Sequence, residues 1–313
     1  GRALYEHPDW AVGQITFKNG KRTFFRNRVL SINRVSSVEV SRDKNYTTFF
    51  LKKFGYNVPT ERTFFSDAWC KSVGSDRDLK AAAAYAKKLG YPVIVKPNGR
   101  SQGSGVAKVR DERELRAAAK AILEGDHLFL VQKFIPGRDY RVVVLDGEVL
   151  SAYERTPLSV TGDGKSSVQK LLAMKQEGFE RDGRDTRINL DDPRMLWTLR
   201  SQKMTMRSVP RKGLQVALLD NANLSTGGES SDVTETMHES YRQLAINVTA
   251  DMGLRLCGVD LLCPDITKPL SPAHVVLETN AAPGLDHYAS TGKRQMKIVE
   301  DLYFQVLRAI ERE

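Results

Sequence analysis

The sequence has few cysteines and no long apolar run, and each absence excludes a class of protein. Its 313 residues include three cysteines, Cys70, Cys257 and Cys263, which form no C-x-x-C motif and no even set for disulfide bonds. A reducing compartment explains this usage, so we expect a cytoplasmic protein. No apolar run approaches the roughly 20 residues of a membrane-spanning helix, and the N-terminus lacks a signal-peptide apolar core.

Two common nucleotide-binding motifs are also missing. No G-x-x-x-x-G-K-[ST] sequence occurs, which excludes a P-loop. The most glycine-rich stretch is not followed directly by a helical pattern, which excludes a Rossmann fingerprint. The evidence for or against a nucleotide site must therefore come from other parts of the chain.

The chain carries a formal net charge of +10, which makes nucleic acid the first partner to consider. The basic residues are spread along the whole chain, without the basic clusters and interleaved aromatic residues of a nucleic-acid-binding surface. A polyphosphate or another polyanionic substrate explains the excess equally well. We therefore expect no nucleic-acid and no membrane partner, and a basic nucleic-acid-binding protein is the contrasting alternative.

Strand and helix patterns alternate along the chain and include several hairpins, which indicates an α+β or α/β enzyme. A short β-rich segment, residues 1–42, precedes a larger domain, residues 43–313. The arginine- and aspartate-rich residues 177–189 are expected to form an exposed loop. The clearest helix patterns cover Leu79–Leu89, Thr236–Met252 and Lys293–Ile310, with a further helix from Ser41–Lys44 to about Phe54.

A strand followed by a glycine-rich hairpin lies near residue 100. The β-branched run Val93–Val95 predicts a buried strand that ends at Lys96, just before a proline. Residues 99–105 contain three glycines and two serines, and such a loop can present backbone N–H groups to an anion. The combination predicts a cradle for a triphosphate. The alternative is a surface hairpin with a flexible tip and a lysine that reaches solvent.

A second cluster of polar residues lies near the C-terminus, within apolar strand patterns. Glu278 and Asn280 are two residues apart and therefore project from one face of a strand, and Asp260 lies on a neighbouring strand. These oxygen ligands suit Mg²⁺, with nucleotide phosphates completing the coordination. The alternative is a group of edge-strand charges that are solvated or paired to arginines.

Taken together, these features resemble the ATP-grasp carboxylate–amine ligases, over about residues 43–305. The resemblance is greatest to the ATP-grasp domain of cyanophycin synthetase and to the bifunctional glutathione synthetases and N-acetylglutaminylglutamine synthetases. It implies an ATP-grasp α+β fold with ATP held between two antiparallel β-sheet subdomains, of which about 92–134 would form the ATP-binding lid. The segments that carry the resemblance are Tyr91–Pro97, Phe134–Val142, Gly162–Gly164, Asn221–Gly228, Cys257–Asp260 and Glu278–Gly284.

The resemblance also implies which residues bind ATP and magnesium. Lys96 would reach the α-phosphate side, and Asp139 would bind the ribose hydroxyls. A mobile lid over the β- and γ-phosphates would comprise Ser101, Gln102, Gly103, Ser104 and Gly105. A hinge whose backbone holds adenine would comprise Gln132, Lys133, Phe134 and Ile135. The magnesium ligands would be Asp260, Glu278 and Asn280.

Four further residues match positions near the reacting groups. Arg141 and Arg155 would face the phosphates, and the alternative for each is a surface salt bridge. Asn223 and Ser225 would lie near the acyl phosphate. Relatives often carry an arginine immediately before the position of Asn221, where this sequence has Asp220.

The implied activity is ATP- and Mg²⁺-dependent formation of an amide bond through an acyl phosphate, without a protein nucleophile. We expect amino-acid or short-peptide substrates, with an N-acetylglutaminylglutamine-type dipeptide favoured because no second, Mur-ligase-like ATP site occurs. A cyanophycin-like polymer ligase and a glutathione-synthetase-like ligase are the alternatives. The short N-terminal region further predicts a piece of a longer enzyme, and the terminal helix is a candidate surface for a homo-oligomer.

Overall fold

The computed structural model describes residues 1–6, 11–184, 186–290 and 292–312. Contacts between residues divide the chain into two compact units. Unit 1 comprises Gly1–Val58, Tyr140–Glu154 and Asp232–Glu313, and unit 2 comprises Pro59–Asp139 and Arg155–Ser231. The domain boundary expected after residue 42 stays a prediction, and the expected lid segment, 92–134, lies within unit 2.

The secondary structure is as follows. The strands are β1 Arg2–Tyr5, β2 Val12–Thr16, β3 Arg22–Arg26, β4 Val29–Leu30, β5 Glu61–Phe65, β6 Val93–Pro97, β7 Ala107–Val109, β8 Leu128–Lys133, β9 Arg138–Leu145, β10 Glu148–Thr156, β11 Ser159–Thr161, β12 Gln215–Ala217, β13 Glu229–Asp232, β14 Leu256–Cys263 and β15 Val275–Asn280. The helices are α1 Val35–Arg42, α2 Lys44–Lys53, α3 Asp67–Val73, α4 Leu79–Leu89, α5 Glu112–Leu123, α6 Val168–Arg181, α7 Pro193–Ser201, α8 Glu239–Asp251, α9 Asp286–Ala289 and α10 Lys293–Arg312.

The N-terminal part of unit 1 is a four-stranded sheet in the order β1-β2-β3-β4, followed by two helices. Strands β2 and β3 pair antiparallel and form a hairpin around residues 18–21, within the segment expected to be β-rich. Helix α2 begins after Asp43, whose side chain accepts from the backbone N–H of Tyr46 at 2.8 Å. Residues 35–42 of the expected β-rich segment form helix α1 instead of a strand, so that expectation is wrong there. The helix expected to start within Ser41–Lys44 and to run to about Phe54 is confirmed by α2.

A second sheet contains the predicted magnesium ligands. Its strand order is β13-β10-β9-β14-β15. Strands β14 and β15 are antiparallel neighbours, so the prediction that Asp260 lies on a strand beside Glu278 is confirmed. The register sets Asp260 opposite Glu278 and Gly258 opposite Asn280, and it shifts at a bulge just after Asp260. Helix α8 packs against this sheet through a buried face that contains Tyr241, Leu244, Ala245 and Val248.

Unit 2 contains an antiparallel sheet in the order β5-β8-β6-β7, covered by α4 and α5. The pairing of β6 with β7 confirms the predicted hairpin, with the glycine-rich loop between the two strands. Helix α4 has the predicted bounds, because Asp78 caps its first turn and Gly90 ends it with φ at 83°. At the start of α5, Asp111 accepts from the N–H of Glu114 at 2.7 Å.

The remainder of unit 2 contains the pair β11–β12 with α6 and α7. The expected exposed loop at 177–189 is wrong in part, because α6 continues to residue 181 and Arg184 and Thr186 are buried. The guanidinium of Arg184 donates to the carbonyl oxygens of Leu224 and Gly228, which explains the burial of a residue that reads as surface. Residue 185, inside the expected loop, lies outside the described residues.

Among the residues that the structure describes, no helix is both long and apolar enough to cross a membrane. The longest helix, α10, is amphipathic. It buries Val299, Leu302, Val306 and Ile310 on one face and exposes Phe304 on another.

Candidate nucleotide and metal site

Lys96 stands at the end of β6 and forms a buried ion pair. Its Nζ lies 2.8 Å from Oε2 of Glu61 on β5, and the two side chains are 8% and 3% exposed. Neither carboxylate oxygen of Glu61 receives an aligned hydrogen bond from a described residue, so the contact is chiefly electrostatic. The predicted phosphate-binding cation is therefore held inside unit 2 by a carboxylate that the sequence analysis did not identify.

The glycine-rich loop, residues 101–105, adopts left-handed backbone conformations. Gln102, Gly103 and Gly105 have φ values of 58°, 69° and 72°, which explains why two of these positions are glycine. The backbone N–H of Ser104 donates to the carbonyl oxygen of Ser101 at 3.2 Å, which closes a tight turn. The predicted lid is thus a compact, turned segment.

This loop contacts the polar loop that contains Asn223 and Ser225. The hydroxyl of Ser225 donates to the carbonyl oxygen of Gln102 at 3.3 Å. A Cβ on Gly103 would lie 2.2 Å from Oδ1 of Asn223, so only glycine allows this approach. The structure therefore brings two predicted groups of site residues together within unit 2. Next to them, Asp220 pairs with Arg110 at 2.8 Å and with Lys108 at 3.7 Å.

The predicted adenine hinge begins inside a strand. Gln132 and Lys133 are the last two residues of β8, so they belong to a strand and not to a linker. Gln132 is buried in the sheet, where it lies opposite both Glu61 and Ile94. The ring of Phe134 lies 3.9 Å from the ammonium of Lys108, a cation–π contact that fixes the start of the segment after the strand.

Two predicted site residues of unit 2 pair with each other. Arg155 is buried, and its Nη2 lies 2.5 Å from Oδ1 of Asp139, to which Nε also donates at 2.7 Å. Arg155 therefore forms a salt bridge, as the alternative interpretation expected, but its side chain is buried and does not lie on the surface.

Unit 1 contains the predicted magnesium ligands and Arg141. Nε and Nη2 of Arg141 both donate to the carboxylate of Asp260, with Nη2 to Oδ2 at 2.9 Å. Both residues are buried. Glu278 lies 3.4 Å from Nζ of Lys44, and its Oε1 lies 3.5 Å from Nδ2 of Asn280. The three predicted ligands are therefore neighbours. Pairing to an arginine, which was considered as the alternative, is present at Asp260.

The donor set in unit 1 fits magnesium by its chemistry. No cluster of three His, Cys, Asp or Glu residues that could hold a metal ion occurs in the described part of the chain. The predicted set contains two carboxylates in register, Asp260 and Glu278, and the amide of Asn280. These are hard oxygen donors, and Mg²⁺ usually binds through one or two carboxylates together with substrate phosphates.

None of the three cysteines forms a disulfide bond, and all three are buried. Burial raises the pKa of the Cys257 thiol to about 12, which keeps it protonated and unreactive at neutral pH. This agrees with a mechanism that needs no protein nucleophile.

Two family models match parts of this chain. Residues 50–163 match the family described as D-ala D-ala ligase C-terminus, and residues 219–302 match the RimK-like ATP-grasp domain. The chain has an ATP-grasp fold and is similar to ATP-grasp ligases over these residues.

Similar proteins carry more specific names. The glutathione biosynthesis bifunctional protein GshAB of Pasteurella multocida is 35% identical over 255 residues, which are 78% of this chain and 32% of that protein. Cyanophycin synthetase of a Nostoc species is 35% identical over 257 residues, 80% of this chain and 27% of that protein. The crystal structure of a bifunctional glutathione synthetase from Pasteurella multocida has a TM-score of 0.58 and 30% identity over 97% of this chain and 41% of that one. The chain thus spans about a third of the length of these two relatives.

Proposed function

We propose that the protein is an ATP- and Mg²⁺-dependent ligase that joins a carboxylate to an amine through an acyl phosphate. The observation that carries the proposal is the register of β14 and β15, which sets Asp260 opposite Glu278, two residue pairs from Asn280. Two carboxylates and an amide at this spacing, in a chain with an ATP-grasp fold, suit the magnesium that accompanies ATP.

In this proposal unit 2 supplies most of the groups that bind ATP. Lys96 binds the α-phosphate side, the glycine-rich loop covers the β- and γ-phosphates, and Asp139 binds the ribose. Backbone groups of residues 132–135 bind adenine. The resemblance to the family supports these assignments, and the burial of Lys96 beside Glu61 adds to them, because a buried cation is held ready for an anionic ligand.

Asp260, Glu278 and Asn280 would hold the magnesium. The metal, when bound, neutralises phosphate charge and orients the γ-phosphoryl group. Arg141 is already fixed by Asp260, so its guanidinium has one orientation available for the phosphates. Arg155 is fixed in the same way by Asp139.

The chemistry needs positioning and charge neutralisation more than a reactive side chain. A substrate carboxylate oxygen attacks the γ-phosphorus, the bond to the bridging oxygen breaks, and ADP leaves. An amine then attacks the acyl carbon, loses a proton and expels phosphate. In the proposal, Arg141 and Arg155 neutralise the phosphoryl charge and the later oxyanion. Asn223 and Ser225 contact the acyl phosphate, and the closed loop keeps water from it.

We propose amino acids or short peptides as substrates, with an N-acetylglutaminylglutamine-type dipeptide favoured. Cyanophycin synthetase and glutathione biosynthesis proteins match this chain at equal identity, which supports peptide-like substrates in general and keeps both alternatives open. We also propose a cytoplasmic location, supported by the three cysteines, none of which forms a disulfide bond, and no nucleic-acid or membrane partner.

The test is phosphate release from Mg-ATP against a panel of amino acids, N-acetylated amino acids and short peptides. Release should require both an acid and an amine, and it should fall at least a hundredfold in Glu278→Ala. Glu235→Ala, an exposed glutamate of the same unit, is the matched control and should keep full activity. A wild-type protein that binds no ATP by calorimetry overturns the proposal.

A further inference from the structure

Arg194 contacts the glycine-rich loop, although neither the sequence pattern nor the family resemblance singles it out. It is the second residue of α7, and its side chain is 17% exposed. Its Nη1 donates to the carbonyl oxygens of Gly103 at 3.0 Å and of Val106 at 2.8 Å. One guanidinium nitrogen therefore holds the loop and the residue that leads into β7.

Asp192 fixes the orientation of this guanidinium. Nε of Arg194 donates to Oδ1 and Oδ2 of Asp192 at 2.9 and 3.0 Å, and Nη2 donates to Oδ2 at 2.6 Å. The same carboxylate caps α7 by accepting from the backbone N–H of Arg194 at 3.0 Å. Because the plane of the guanidinium is set by the carboxylate, Nη1 can point only toward the loop.

The other side of the loop is fixed by the polar loop of the same unit. Ser225 binds the carbonyl of Gln102, and Asn223 packs against Gly103. The carbonyl oxygens of residues 102, 103 and 106 are therefore all bound to side chains of unit 2. Among these contacts only those of Arg194 are charge-assisted, so Arg194 contributes most to the closed arrangement.

We propose that Arg194 is a positioning residue that holds the glycine-rich loop closed, with Asp192 as its support. The anchoring of the loop stands on the contacts alone, whereas its catalytic consequence rests on the proposed function. With the loop closed, the acyl phosphate is protected from water until the amine attacks it. With the loop released, water attacks the acyl phosphate, returning the acid and releasing phosphate without forming an amide.

The anchoring is tested by hydrogen exchange of the peptide that covers residues 98–107, in Arg194→Gln and wild type without nucleotide. Loss of a charge-assisted hydrogen bond changes an opening equilibrium by about ten- to a hundredfold, so exchange should accelerate by about that factor. Arg200→Gln, an exposed arginine on the same helix, is the matched control and should exchange like wild type. Asp192→Asn, which retains a capping side chain, should give a smaller acceleration.

The catalytic consequence is tested by the ratio of amide formed to phosphate released, with the acid and the amine that the panel of substrates selects. We expect this ratio to fall at least fivefold in Arg194→Gln, to recover in part in Arg194→Lys, and to stay unchanged in Arg200→Gln. A merely structural role would lower both products together, and an unchanged ratio overturns the proposal. Wild-type exchange rates in a folded Arg194→Gln variant also overturn it, whereas a wild type without turnover contradicts only the proposed function.

Discussion

At the scale of single residues, the site is built from charges that are paired before any ligand binds. Lys96 faces Glu61 in unit 2, and Arg141 faces Asp260 in unit 1. Taking a charge out of water is costly, and a buried partner offsets that cost. Removing one member therefore leaves an uncompensated charge, which is more harmful than removing both.

The first prediction concerns Glu61→Gln. The substitution keeps the shape of the side chain but leaves the ammonium of Lys96 buried without its carboxylate. We expect the free energy of unfolding, measured in urea, to fall by about 3 kcal/mol. Mg-ATP should restore part of the loss, because a phosphate replaces the missing negative charge.

A double-mutant cycle controls this experiment. Adding Lys96→Met to Glu61→Gln should recover stability, since no charge is then stranded. Glu112→Gln is the matched variant, because Glu112 pairs with Arg116 on the surface, with side chains 56% and 41% exposed. It should change stability by less than about 1 kcal/mol. Equal losses in Glu61→Gln and Glu112→Gln would contradict the buried-pair interpretation.

The sequence predicts one member of the Lys96–Glu61 pair but not the other. Lys96 was predicted because a β-branched run and a proline mark the strand end where it stands. Glu61 begins the segment Glu61–Phe65, where a charged first residue reads as solvent-facing. Its burial depends on the register of β5 with β8, which is a long-range pairing and leaves no local signal.

At the scale of elements, the turn at Gly162–Gly164 is stabilised by hydrogen bonds just before α6 begins. Oδ1 of Asp163 accepts from the backbone N–H groups of Ser166 at 2.6 Å and Lys165 at 2.8 Å. These bonds favour the ionised carboxylate and lower the pKa of Asp163 to about 2.

The second prediction is a pH dependence at this turn. Because the folded pKa lies below the ordinary value of 3.8, the carboxylate contributes stability above about pH 4, and the contribution is lost as the pH falls toward 2. Asp163→Asn should therefore unfold at lower urea concentration than wild type at pH 5 to 7, and the gap should narrow below pH 4. A gap that stays constant to pH 3 would contradict this account. Asp191→Asn is the exposed control.

Strand β14 offers the third prediction, because it carries Cys257 and Cys263 on either side of Asp260. Both thiols are buried. We expect them to react with a disulfide reagent at pH 8 about a thousandfold or more slowly than in the urea-unfolded protein, since labelling requires opening of the strand. Mass spectrometry of the labelled peptides measures each thiol. Rapid labelling of the folded protein would show that β14 opens readily.

Helices show which elements the sequence reveals. Helix α4 has a capping aspartate, a buried alanine face and a terminal glycine, all local signals, and its predicted bounds are confirmed. Helix α1 has a β-branched, serine-containing sequence, and Arg34 provides no capping side chain. Its local preferences oppose a helix, and packing in unit 1 decides the outcome.

At the scale of the whole molecule, unit 1 is assembled from three separate segments. The turn between β2 and β3 reaches the far end of the chain. Nζ of Lys21 donates to the carbonyl oxygen of Ile310 at 2.5 Å, and Nδ2 of Asn19 donates to that of Glu311 at 3.0 Å. These side chains satisfy carbonyl groups at the C-terminal end of α10, and the cation complements the helix dipole.

The fourth prediction tests this capping. A variant with Asn19→Ala and Lys21→Met should lose about 1 to 3 kcal/mol of stability in unit 1. Labelling of Cys257 should accelerate, whereas labelling of Cys70, in unit 2, should not change. Lys18→Met, an exposed lysine of the same turn, is the matched control and should behave as wild type. Equal acceleration at Cys70 and Cys257 would contradict a local role.

The bond from Lys21 to Ile310 also constrains the order in which the chain folds during synthesis. Its partners are 289 positions apart, and a contact of such separation forms late because its loop-closure entropy is lost first. The sheet β5-β8-β6-β7 is fully translated by residue 133, so its strands can pair early on the ribosome. The strands β1 to β4 are complete by residue 30 and can also pair early, but the bonds from Asn19 and Lys21 must wait until α10 has been made. Nascent chains of this protein are therefore expected to hold the β2–β3 turn without these two bonds until residue 311 has been made, and slow translation would lengthen that interval.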